Sequence, residues 1–398
     1  MKNTKLAPAV VTYMSYAGLG IVRSLGRKGI PVYAVDSDPN KVGMQSKYCT
    51  PLICPDINES EEKFIQFIIE LGKKFDKKAV LYPTGDKMVL TFSKYREKLT
   101  PYYHCLMPDD NLVRFLVSKD GLDEIAQKYN IPAPRTAFPE NGADIEALSR
   151  DFQYPVIIKP SLSPNWHNPE IYKIVGKSNK VAVAHSKEEL LSFYNRIAAI
   201  NKGMIIQELI PGYDDQLYYV CLYCDNNSEP VGIFAGQKIR LFPVHFGSAS
   251  YVKSYYDKKL IDLAAEMVKN IGYKGLCGIE FKKDPRDETY KLIEFNVRFG
   301  LWDMLGEKCG VDLAYKAYKD AIGQPIKKKW KYKTGIIWLA IQLDFAAFRN
   351  YRREGLLSLL QWLKSLVGSK SCAVFAYDDM RPSFSTSYRF WEKKLKFK

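Results

Sequence analysis

The sequence has no uninterrupted apolar run of about twenty residues, which is the length that a membrane-spanning helix requires. It also has no visible internal repeat and no low-complexity tract. Tyr13, Ser15 and Gly18 interrupt the apolar segment AVVTYMSYAGLG, which therefore indicates a β-strand rather than a signal peptide. We expect no membrane-spanning segment, and 398 residues with 46% hydrophobic and 26% charged residues predict two or three globular domains.

Cysteine and histidine patterns that would indicate a metal site or a nucleophile are also missing. The eight cysteines are scattered, which favours a reduced cytoplasmic setting over a disulfide framework. Cys221 and Cys224 have no second cysteine pair or histidine at zinc spacing, and their strand-like surroundings predict core thiols. No Ser/His/Asp or Cys/His arrangement typical of nucleophilic catalysis is recognisable.

Acidic residues are scarce in the carboxyl-terminal region. The chain has a formal net charge of +15, and residues 327–398 contain sixteen Lys/Arg against five Asp/Glu, a net charge of +11. This excess predicts an acidic partner or surface. The aromatic residues there are too few and too irregular for a nucleic-acid binder, which makes nucleic acid an unexpected partner: Phe384, Tyr388, Phe390 and Trp391.

The same region contains one apolar segment that predicts a helix, Glu354–Val367, after a final strand within Gly335–Leu343. Its apolar face consists of Leu356, Leu359, Leu360, Trp362, Leu363 and Val367, with Ser358, Gln361 and Ser365 opposite. Basic residues surround it: Arg349, Arg352, Arg353, Lys364 and the cluster Lys393–Lys398. Two interpretations stay open, a helix at the surface of an anionic membrane or a helix packed on the preceding domain with a solvated basic rim.

The most informative stretch is Leu276–Gly300, which reads as two strands, Gly278–Lys282 and Tyr290–Phe299, joined by the polar turn Asp284–Asp287. Side chains alternate between the two faces of a strand. One face of the second strand is therefore predicted to carry Leu292, Glu294, Asn296 and Arg298, and the other Ile293, Phe295 and Val297.

Carboxylates within these apolar strands call for a cation. Glu280 lies between Ile279 and Phe281 on the first strand, and an unpaired charge in such surroundings costs several kcal/mol. Two carboxylates with an amide are oxygen ligands that suit Mg²⁺. The alternative is a solvated strand face on which the two glutamates pair with Lys282, Lys291 or Arg298.

The amino-terminal region predicts a βαβ unit with a strand Ala9–Tyr13, a turn containing Gly18 and Gly20, a helix Ile21–Lys28, and a strand Val32–Val35 ending at Asp36. Arg23 occupies the third glycine position of G-x-G-x-x-G. An NAD or FAD site and a Rossmann-like domain without that cofactor are therefore alternatives. A later strand, Ala79–Tyr82, leads into a turn with Thr84 and Asp86, and this edge of an α/β sheet favours substrate binding.

Three basic residues occupy positions where an anion would be expected. Lys159 ends a strand with three consecutive β-branched residues, so its buried ammonium needs a negative partner. Lys238 and Arg240 follow each other by two positions in a predicted strand, which places them on one face. Such charges can hold a transferring phosphate or a carboxylate.

Several motifs, in this order, resemble the ATP-grasp superfamily: Lys119-Asp120 at a helix start followed by NIPAPRT, the strand ending in Lys159-Pro160, I-Q-E-x-I-P-G at Ile206–Gly212, and E-x-N-x-R-x-G at Glu294–Gly300. The segments GLGIVRSLGRKGIPVYAVD and AVLYPTGD resemble its predicted ATP-dependent carboxylate–amine ligase branch, which includes D-aspartate-ligase-like proteins. The loop Ser161–Pro169 departs from the family's glycine-rich phosphate loop and offers Ser161, Ser163, Asn165, Trp166 and His167.

The resemblance implies a mixed α/β and α+β fold. It implies a Rossmann-like domain at residues 1–110, an ATP-grasp domain at 111–325 with a small α+β lid at about 140–206 and a larger α+β metal and ATP domain, and a basic extension at 326–398. The implied activity converts a carboxylate to an acyl phosphate, which an amine then attacks, releasing ADP and phosphate. A dinucleotide-dependent oxidoreductase and a non-catalytic ATP-binding protein are the alternatives.

The resemblance also implies roles for single residues. Mg²⁺, with Mn²⁺ as an alternative, would be held by Glu280, Glu294 and Asn296. ATP would be bound by Lys119, Lys159, Gln207, Glu208, Leu209, Ile210 and Asp215. Catalysis would use Lys238, Arg240 and Arg298, and the substrate would lie near Thr84, Asp86 and Gly300. The expected partners are a small carboxylate and an amine in the cytoplasm, with peripheral contact to the inner face of an anionic membrane.

Overall fold

The computed structural model describes residues 6–161, 168–175, 181–201 and 203–385. Several predicted features lie outside these ranges, namely Ser163, Asn165, Trp166, His167, Tyr388, Phe390, Trp391 and Lys393–Lys398. Within the described ranges, no helix combines the length and apolarity needed to cross a bilayer. The cysteines are free thiols, and Cys221 and Cys224 are buried, as the sequence predicts.

The amino-terminal domain contains a parallel five-stranded sheet in the order β3-β2-β1-β4-β5. Its elements are β1 Ala9–Thr12, α1 Tyr16–Gly26, β2 Val32–Asp36, β3 Thr50–Ile53, α2 Glu61–Lys73, β4 Ala79–Pro83, α3 Asp86–Lys94, α4 Arg96–Leu99 and β5 Tyr103–Cys105. Strands β1 and β4 are buried along their whole length because helices cover both faces of the sheet. The predicted Rossmann-like domain is confirmed.

Helix α1 begins earlier than predicted. Gly18 and Gly20 lie inside the helix rather than in the turn before it. A Cβ atom on Gly20 would lie 2.9 Å from the Cβ of Met304, so this glycine permits close packing against a later part of the chain. Asp36 accepts a hydrogen bond of 2.7 Å from the backbone N–H of Met14. These residues therefore close the first βα junction, which leaves no open glycine turn of the dinucleotide-binding kind there.

A four-stranded antiparallel sheet in the order β6-β9-β7-β8 forms the predicted small lid. Two helices precede it, α5 Asp110–Val117 and α6 Lys119–Lys128. The lid elements are β6 Thr136–Ala137, α7 Gly142–Leu148, β7 Val156–Pro160, α8 Pro169–Val175, β8 Ala182–Ala184, α9 Lys187–Ala198 and β9 Met204–Glu208. Its apolar core packs Val156, Ile158 and Ile206 against Leu190 of α9.

The largest sheet of the described chain has seven strands in the order β14-β13-β10-β11-β12-β15-β16. Its region comprises β10 Leu217–Cys224, β11 Pro230–Phe242, β12 Ser248–Tyr255, α10 Lys258–Asn270, β13 Gly275–Lys283, β14 Tyr290–Asn296, α11 Leu305–Cys309, α12 Leu313–Ala321, β15 Ile337–Leu339, α13 Ile341–Arg353, α14 Leu359–Ser365 and β16 Lys370–Cys372. Because β15 and β16 join this sheet, it continues past residue 325 into the region that the sequence assigns to a separate extension.

The carboxyl-terminal helices differ from the single helix predicted at Glu354–Val367. Helix α13 already occupies Ile341–Arg353, and the chain then turns at Gly355, whose φ is +74°. Ser358 starts α14 with a capping box, because its side chain accepts from the Gln361 N–H while the Gln361 side chain accepts from the Ser358 N–H. The positive φ and the cap therefore delay the start of the predicted helix from Glu354 to Leu359.

The segment after β16 returns to the amino-terminal domain. Arg23 of α1 is 1% exposed, and its Nε donates to Asp379 Oδ2 at 2.9 Å while its Nη2 donates to the carbonyl of Val374 at 2.7 Å. Arg27 pairs with Asp378 at 2.7 Å one turn further along. A buried charge pair of this kind is costly to break, so the end of the described chain is tied to the first helix.

Candidate active site

A cleft of about 610 Å³ lies between the lid and the seven-stranded sheet, with Asp86 of the amino-terminal domain at its edge. It brings together thirteen of the sixteen residues predicted for the site. These are Asp86, Lys119, Lys159, Gln207, Glu208, Leu209, Ile210, Lys238, Glu280, Glu294, Asn296, Arg298 and Gly300.

The floor of the cleft carries the two glutamates. Glu280 on β13 lies directly opposite Glu294 on β14, so their side chains point to the same face, and Asn296 follows on that face. Lys238 Nζ donates to Glu280 Oε2 at 2.5 Å, and Lys119 Nζ lies 3.5 Å from Glu294 Oε1. The acidic pair is thus compensated by lysines from two other elements.

The predicted alternation on β14 is wrong at its first position. The pairing of β13 with β14 shifts between Glu280 and Phe281, so that Phe281 lies opposite Leu292. Leu292 consequently packs in the core, and Ile293 lines the cleft instead. A β-bulge explains the exchange, because one extra residue reverses the faces on one side of it.

The donor set on this floor fits Mg²⁺ only in part by itself. The described residues contain no group of three or more His, Cys, Asp or Glu side chains placed to hold a metal ion. Two carboxylates and one amide remain, on Glu280, Glu294 and Asn296. This is the incomplete oxygen shell expected where substrate phosphates supply the other ligands.

Lys159 forms the opposite wall. It is 9% exposed at the end of β7, its Nζ donates to Gln207 Oε1 at 2.7 Å, and the Gln207 amide donates to Thr136 Oγ1 at 2.8 Å. Burial, together with the nearby positive charge of Lys119, lowers the pKa of Lys159 to about 7. No carboxylate of the described residues lies within 4.0 Å of its ammonium. The position is therefore prepared for an anion that enters the cleft.

The segment after β9 is held rigidly. Arg286 Nη2 donates to Glu208 Oε1 at 2.6 Å, and the Glu208 backbone N–H donates to the carbonyl of Arg135 at 2.9 Å. The Leu209 N–H donates to the carbonyl of Pro155 at 3.4 Å. With its side chain and N–H engaged elsewhere, this segment presents backbone from Glu208 to Ile210 along the cleft.

Arg298 joins two domains at the cleft edge. Its Nε donates to Asp86 Oδ1 at 2.5 Å and its Nη2 donates to Asp86 Oδ2 at 3.3 Å. Asp86 is the first residue of α3, so a predicted substrate residue and a predicted catalytic residue pair with each other. Two parallel N–H donors of this kind are the usual geometry for binding a carboxylate.

Gly300 lines the cleft, but its N–H is already used. It donates to Asp303 Oδ2 at 2.6 Å, and the other Asp303 oxygen accepts from Cys221 Sγ at 3.1 Å. Burial raises the pKa of Asp303 to about 6. A Cβ on Gly300 would lie 2.5 Å from Asp303 and 2.8 Å from the hydroxyl of Tyr219, so glycine is required there for packing.

Arg240 is the clearest departure from the predicted site. Lys238 and Arg240 both lie on β11, where Lys238 pairs with Val252 of β12 and Arg240 pairs with Tyr251 of β12. Val252 and Tyr251 are adjacent in sequence, so Lys238 and Arg240 point to opposite faces of the sheet. Arg240 is 4% exposed and forms two hydrogen bonds with Asp344 of α13, at 2.7 and 2.9 Å. A bulge thus turns it away from the cleft, where it holds a helix.

Thr84 and Asp215 also lie outside the cleft. The Thr84 hydroxyl is buried and donates to the carbonyls of Thr12 and Tyr13, which closes the ends of β1 and β4. Asp215 is exposed in a short 3-10 helix, Asp214–Gln216, whereas Asp214 is the buried member of the pair. Asp214 accepts from the backbone N–H of His245 at 2.9 Å.

Sixteen of the residues that line the cleft were not predicted as site residues, among them Tyr219, Lys282, His245, Phe246 and Trp302. Lys282 lies two positions after Glu280, so strand alternation could have identified it. Its Nζ donates to the carbonyl of Gly212 at 3.0 Å, and burial lowers its pKa. The aromatic residues come from a strand interior and a loop, where the sequence contains no comparable signal.

The chain resembles known proteins in sequence and structure. Residues 244–329 match the family model of the carbamoyl-phosphate synthase L chain, ATP binding domain. D-aspartate ligase from Enterococcus faecium is 26% identical over 314 residues, covering 74% of this chain and 73% of that protein. The large chain of carbamoyl phosphate synthase from Methanobrevibacter smithii is 24% identical, covering 78% of this chain but only 28% of that protein.

The structure of a biotin carboxylase from Campylobacter jejuni, solved as a β,γ-ATP complex, superimposes with a TM-score of 0.65. It is 17% identical, and the match covers 83% of this chain and 74% of that chain. This chain therefore shares its fold with that biotin carboxylase. In sequence and in fold the chain is thus similar to these ATP-binding proteins, in agreement with the ATP-grasp resemblance of its motifs.

Proposed function

We propose that this protein activates a small carboxylate as an acyl phosphate at the expense of ATP and joins it to an amine. The products would be an amide, ADP and phosphate. One observation carries the proposal, namely that a carboxylate pair, Glu280 and Glu294, shares one cleft with four lysines: Lys119, Lys159, Lys238 and Lys282. ATP and a carboxylate repel each other, so a site that joins them must neutralise several negative charges.

Mg²⁺ would be held by Glu280, Glu294 and Asn296, with phosphate oxygens completing its shell, and Mn²⁺ is the alternative ion because it prefers similar oxygen ligands. When bound, the ion would neutralise charge on the transferring phosphoryl group. Lys119 and Lys159 would bind the phosphates of ATP. The backbone of Glu208–Ile210 would contact the adenine edge, a role for which its side-chain and lid contacts prepare it.

Arg298 is proposed to orient the substrate carboxylate or the tetrahedral oxyanion, because it already binds the carboxylate of Asp86 through two N–H groups. Lys238 would stabilise charge beside Glu280. Gly300 would allow the substrate to approach the backbone closely but would donate no hydrogen bond to it, since its N–H already donates to Asp303. Catalysis would then consist mainly of positioning and electrostatic stabilisation.

The alternatives fare differently. Gly18 and Gly20 lie within α1, which argues against an oxidoreductase that binds a dinucleotide at the first βα turn. A protein that binds ATP without catalysis would share the cleft but release no phosphate. We propose a cytoplasmic enzyme whose partners are small molecules, a setting that the free thiols support.

Phosphate release from ATP and Mg²⁺ tests the proposal, measured with pooled amino acids and small carboxylates supplied in pairs. We expect release that requires two co-substrates at once. ATP binding without release in every pool would contradict the ligase assignment, and release with one substrate alone would contradict the two-step mechanism. Amide formation in the active pool, followed by mass spectrometry, identifies the substrates.

A further inference from the structure

The helical hairpin of α13 and α14 exposes an apolar surface that no described residue covers. Seven residues contribute, with exposed fractions from 43% for Leu356 to 76% for Val367: Ile341, Phe345, Leu356, Leu359, Leu360, Leu363 and Val367. The two helices pack on each other through Trp362, whose ring stacks on Phe348 at 4.8 Å. Trp362 is the one residue of α14 that is buried.

The exposed residues of α14 form one face. At about 100° per residue, Leu359, Leu360 and Leu363 fall within an arc of about 100°, while Trp362 points toward α13. The helix therefore turns its leucines to solvent and only its tryptophan inward. Apolar residues grouped in this way usually mark an interaction site rather than chance exposure.

Positive charge surrounds the apolar face. Residues 341–370 contain five Lys/Arg: Arg349, Arg352, Arg353, Lys364 and Lys370. Of the two acidic residues, Asp344 is fully buried against Arg240, and Glu354 lies 3.0 Å from His245 Nε2. The exposed apolar residues of the hairpin are thus accompanied along the chain by four exposed basic residues, which we call the basic rim: Arg349, Arg352, Arg353 and Lys364.

The hairpin is held firmly on the sheet. Asp344 accepts from Arg240 on β11 and from Trp362 Nε1 at 2.9 Å, which links both helices to one buried carboxylate. The Tyr351 hydroxyl donates to Asp214 in the 3-10 helix that follows the lid. The apolar face is therefore presented in a fixed orientation, next to the loop that carries His245 at the cleft.

We propose that this hairpin docks on an anionic phospholipid membrane, with the leucines in the interfacial layer and the basic rim on the headgroups. Charge complementarity selects this occupant: a second copy of the chain would bring a like-charged rim against the first, whereas anionic lipid offers both negative charge and an apolar layer. Docking requires no membrane-spanning helix.

Co-sedimentation of the full chain with vesicles tests this proposal. Vesicles of phosphatidylcholine alone are compared with vesicles that also contain phosphatidylglycerol, at low and high salt. We expect binding to the anionic vesicles only, weakened by salt because surface charges are screened. Equal binding to both vesicle types, or no binding to either, would overturn the proposal.

Two variants locate the surface. The first double variant, Leu360→Ser with Leu363→Ser, removes apolar contact with the membrane. The second, Lys364→Glu with Arg353→Glu, reverses charge at the basic rim. Each double variant should weaken the partitioning of the protein onto anionic vesicles about tenfold or more. The matched controls are Ile53→Ser, an exposed apolar residue of β3, and Lys63→Glu on α2. The substituted side chains are exposed, so circular dichroism and ATP binding should be unchanged.

Binding that persists in both hairpin variants would overturn the proposal, since it would place the contact elsewhere. A concentration-dependent dimer that the leucine variant abolishes, without vesicle binding, would assign the face to a second copy and would likewise overturn it. These readouts are independent of phosphate release, so failure here and failure of the ligase assignment are distinguishable.

Discussion

Because Lys159 is buried in the cleft, we predict that the protein takes up protons when it binds ATP. The pKa of Lys159 is about 7 without ligand, because of burial and the charge of Lys119. At pH 8 about one molecule in ten therefore carries the ammonium, whereas phosphate oxygens beside it would restore an ordinary lysine pKa. Binding of ATP should then take up about 0.9 proton at pH 8, about 0.5 at pH 7 and little at pH 6.

The same pKa shift affects stability with a definite sign. In the unfolded chain Lys159 titrates with an ordinary pKa of about 10.4, so between about pH 7 and pH 10 the unfolded state binds more protons than the folded state. The contribution of Lys159 to the free energy of unfolding should therefore rise with pH across this window in the ligand-free protein. ATP should remove most of that pH dependence.

Calorimetry provides the assay. Titrating a non-hydrolysable ATP analogue with Mg²⁺ into the protein at pH 8, in buffers of different ionisation enthalpy, measures the number of protons exchanged. Lys159→Met should abolish the uptake, while Lys128→Met, an exposed lysine at the end of α6, should retain it. Unchanged uptake in Lys159→Met, or none in the wild-type protein, would refute the placement of Lys159 against the phosphates.

Two further predictions concern charged groups on the large sheet. Glu294→Gln should leave the fold intact but abolish phosphate release. The control Glu288→Gln, in the exposed turn of the same hairpin, should keep full phosphate release. Full activity of folded Glu294→Gln would contradict the metal assignment. Arg240→Met should lower the free energy of unfolding by about 3–5 kcal/mol, because it leaves Asp344 unpaired in the core. Urea unfolding measures that loss, and the double variant Arg240→Met with Asp344→Leu should recover much of the lost stability. A folded Arg240→Met variant with wild-type stability but no turnover would instead support the catalytic role predicted from sequence.

Patterns between residues close in sequence predicted several of the site residues. The alternation of side chains along one strand was enough to predict that Glu294 and Asn296 share a face. The resemblance to the ATP-grasp superfamily was needed to add Glu280, because a bulge shifts the register of the hairpin beside that residue. Lys159 was identified for a similar reason, since a charged residue at the end of a buried strand needs a partner. These inferences rely on contacts that are local in sequence.

The rule that side chains alternate between the two faces of a strand gave wrong predictions next to β-bulges. Arg240 and Leu292 both lie beside shifts in strand pairing, and a single extra residue moved each to the opposite face. Thr84 was misplaced for another reason, since its hydroxyl satisfies two backbone carbonyls that only the sheet brings near it. Nothing in the sequence marks these positions, because they depend on backbone pairing across long separations.

The sequence by itself determined which residue types are available to this protein: two carboxylates within apolar strands, and a lysine at the end of a buried strand that needs an anion. The proposed roles of these residues and the order of the domains came from the resemblance to the ATP-grasp superfamily. Tertiary structure alone decided which charges face the cleft and which hold the scaffold, as with Lys238 against Arg240. It also decided that α14 turns Trp362 inward and its leucines outward. Amphipathic patterning shows that a helix has an apolar face, but only the packing of distant elements determines whether that face is covered.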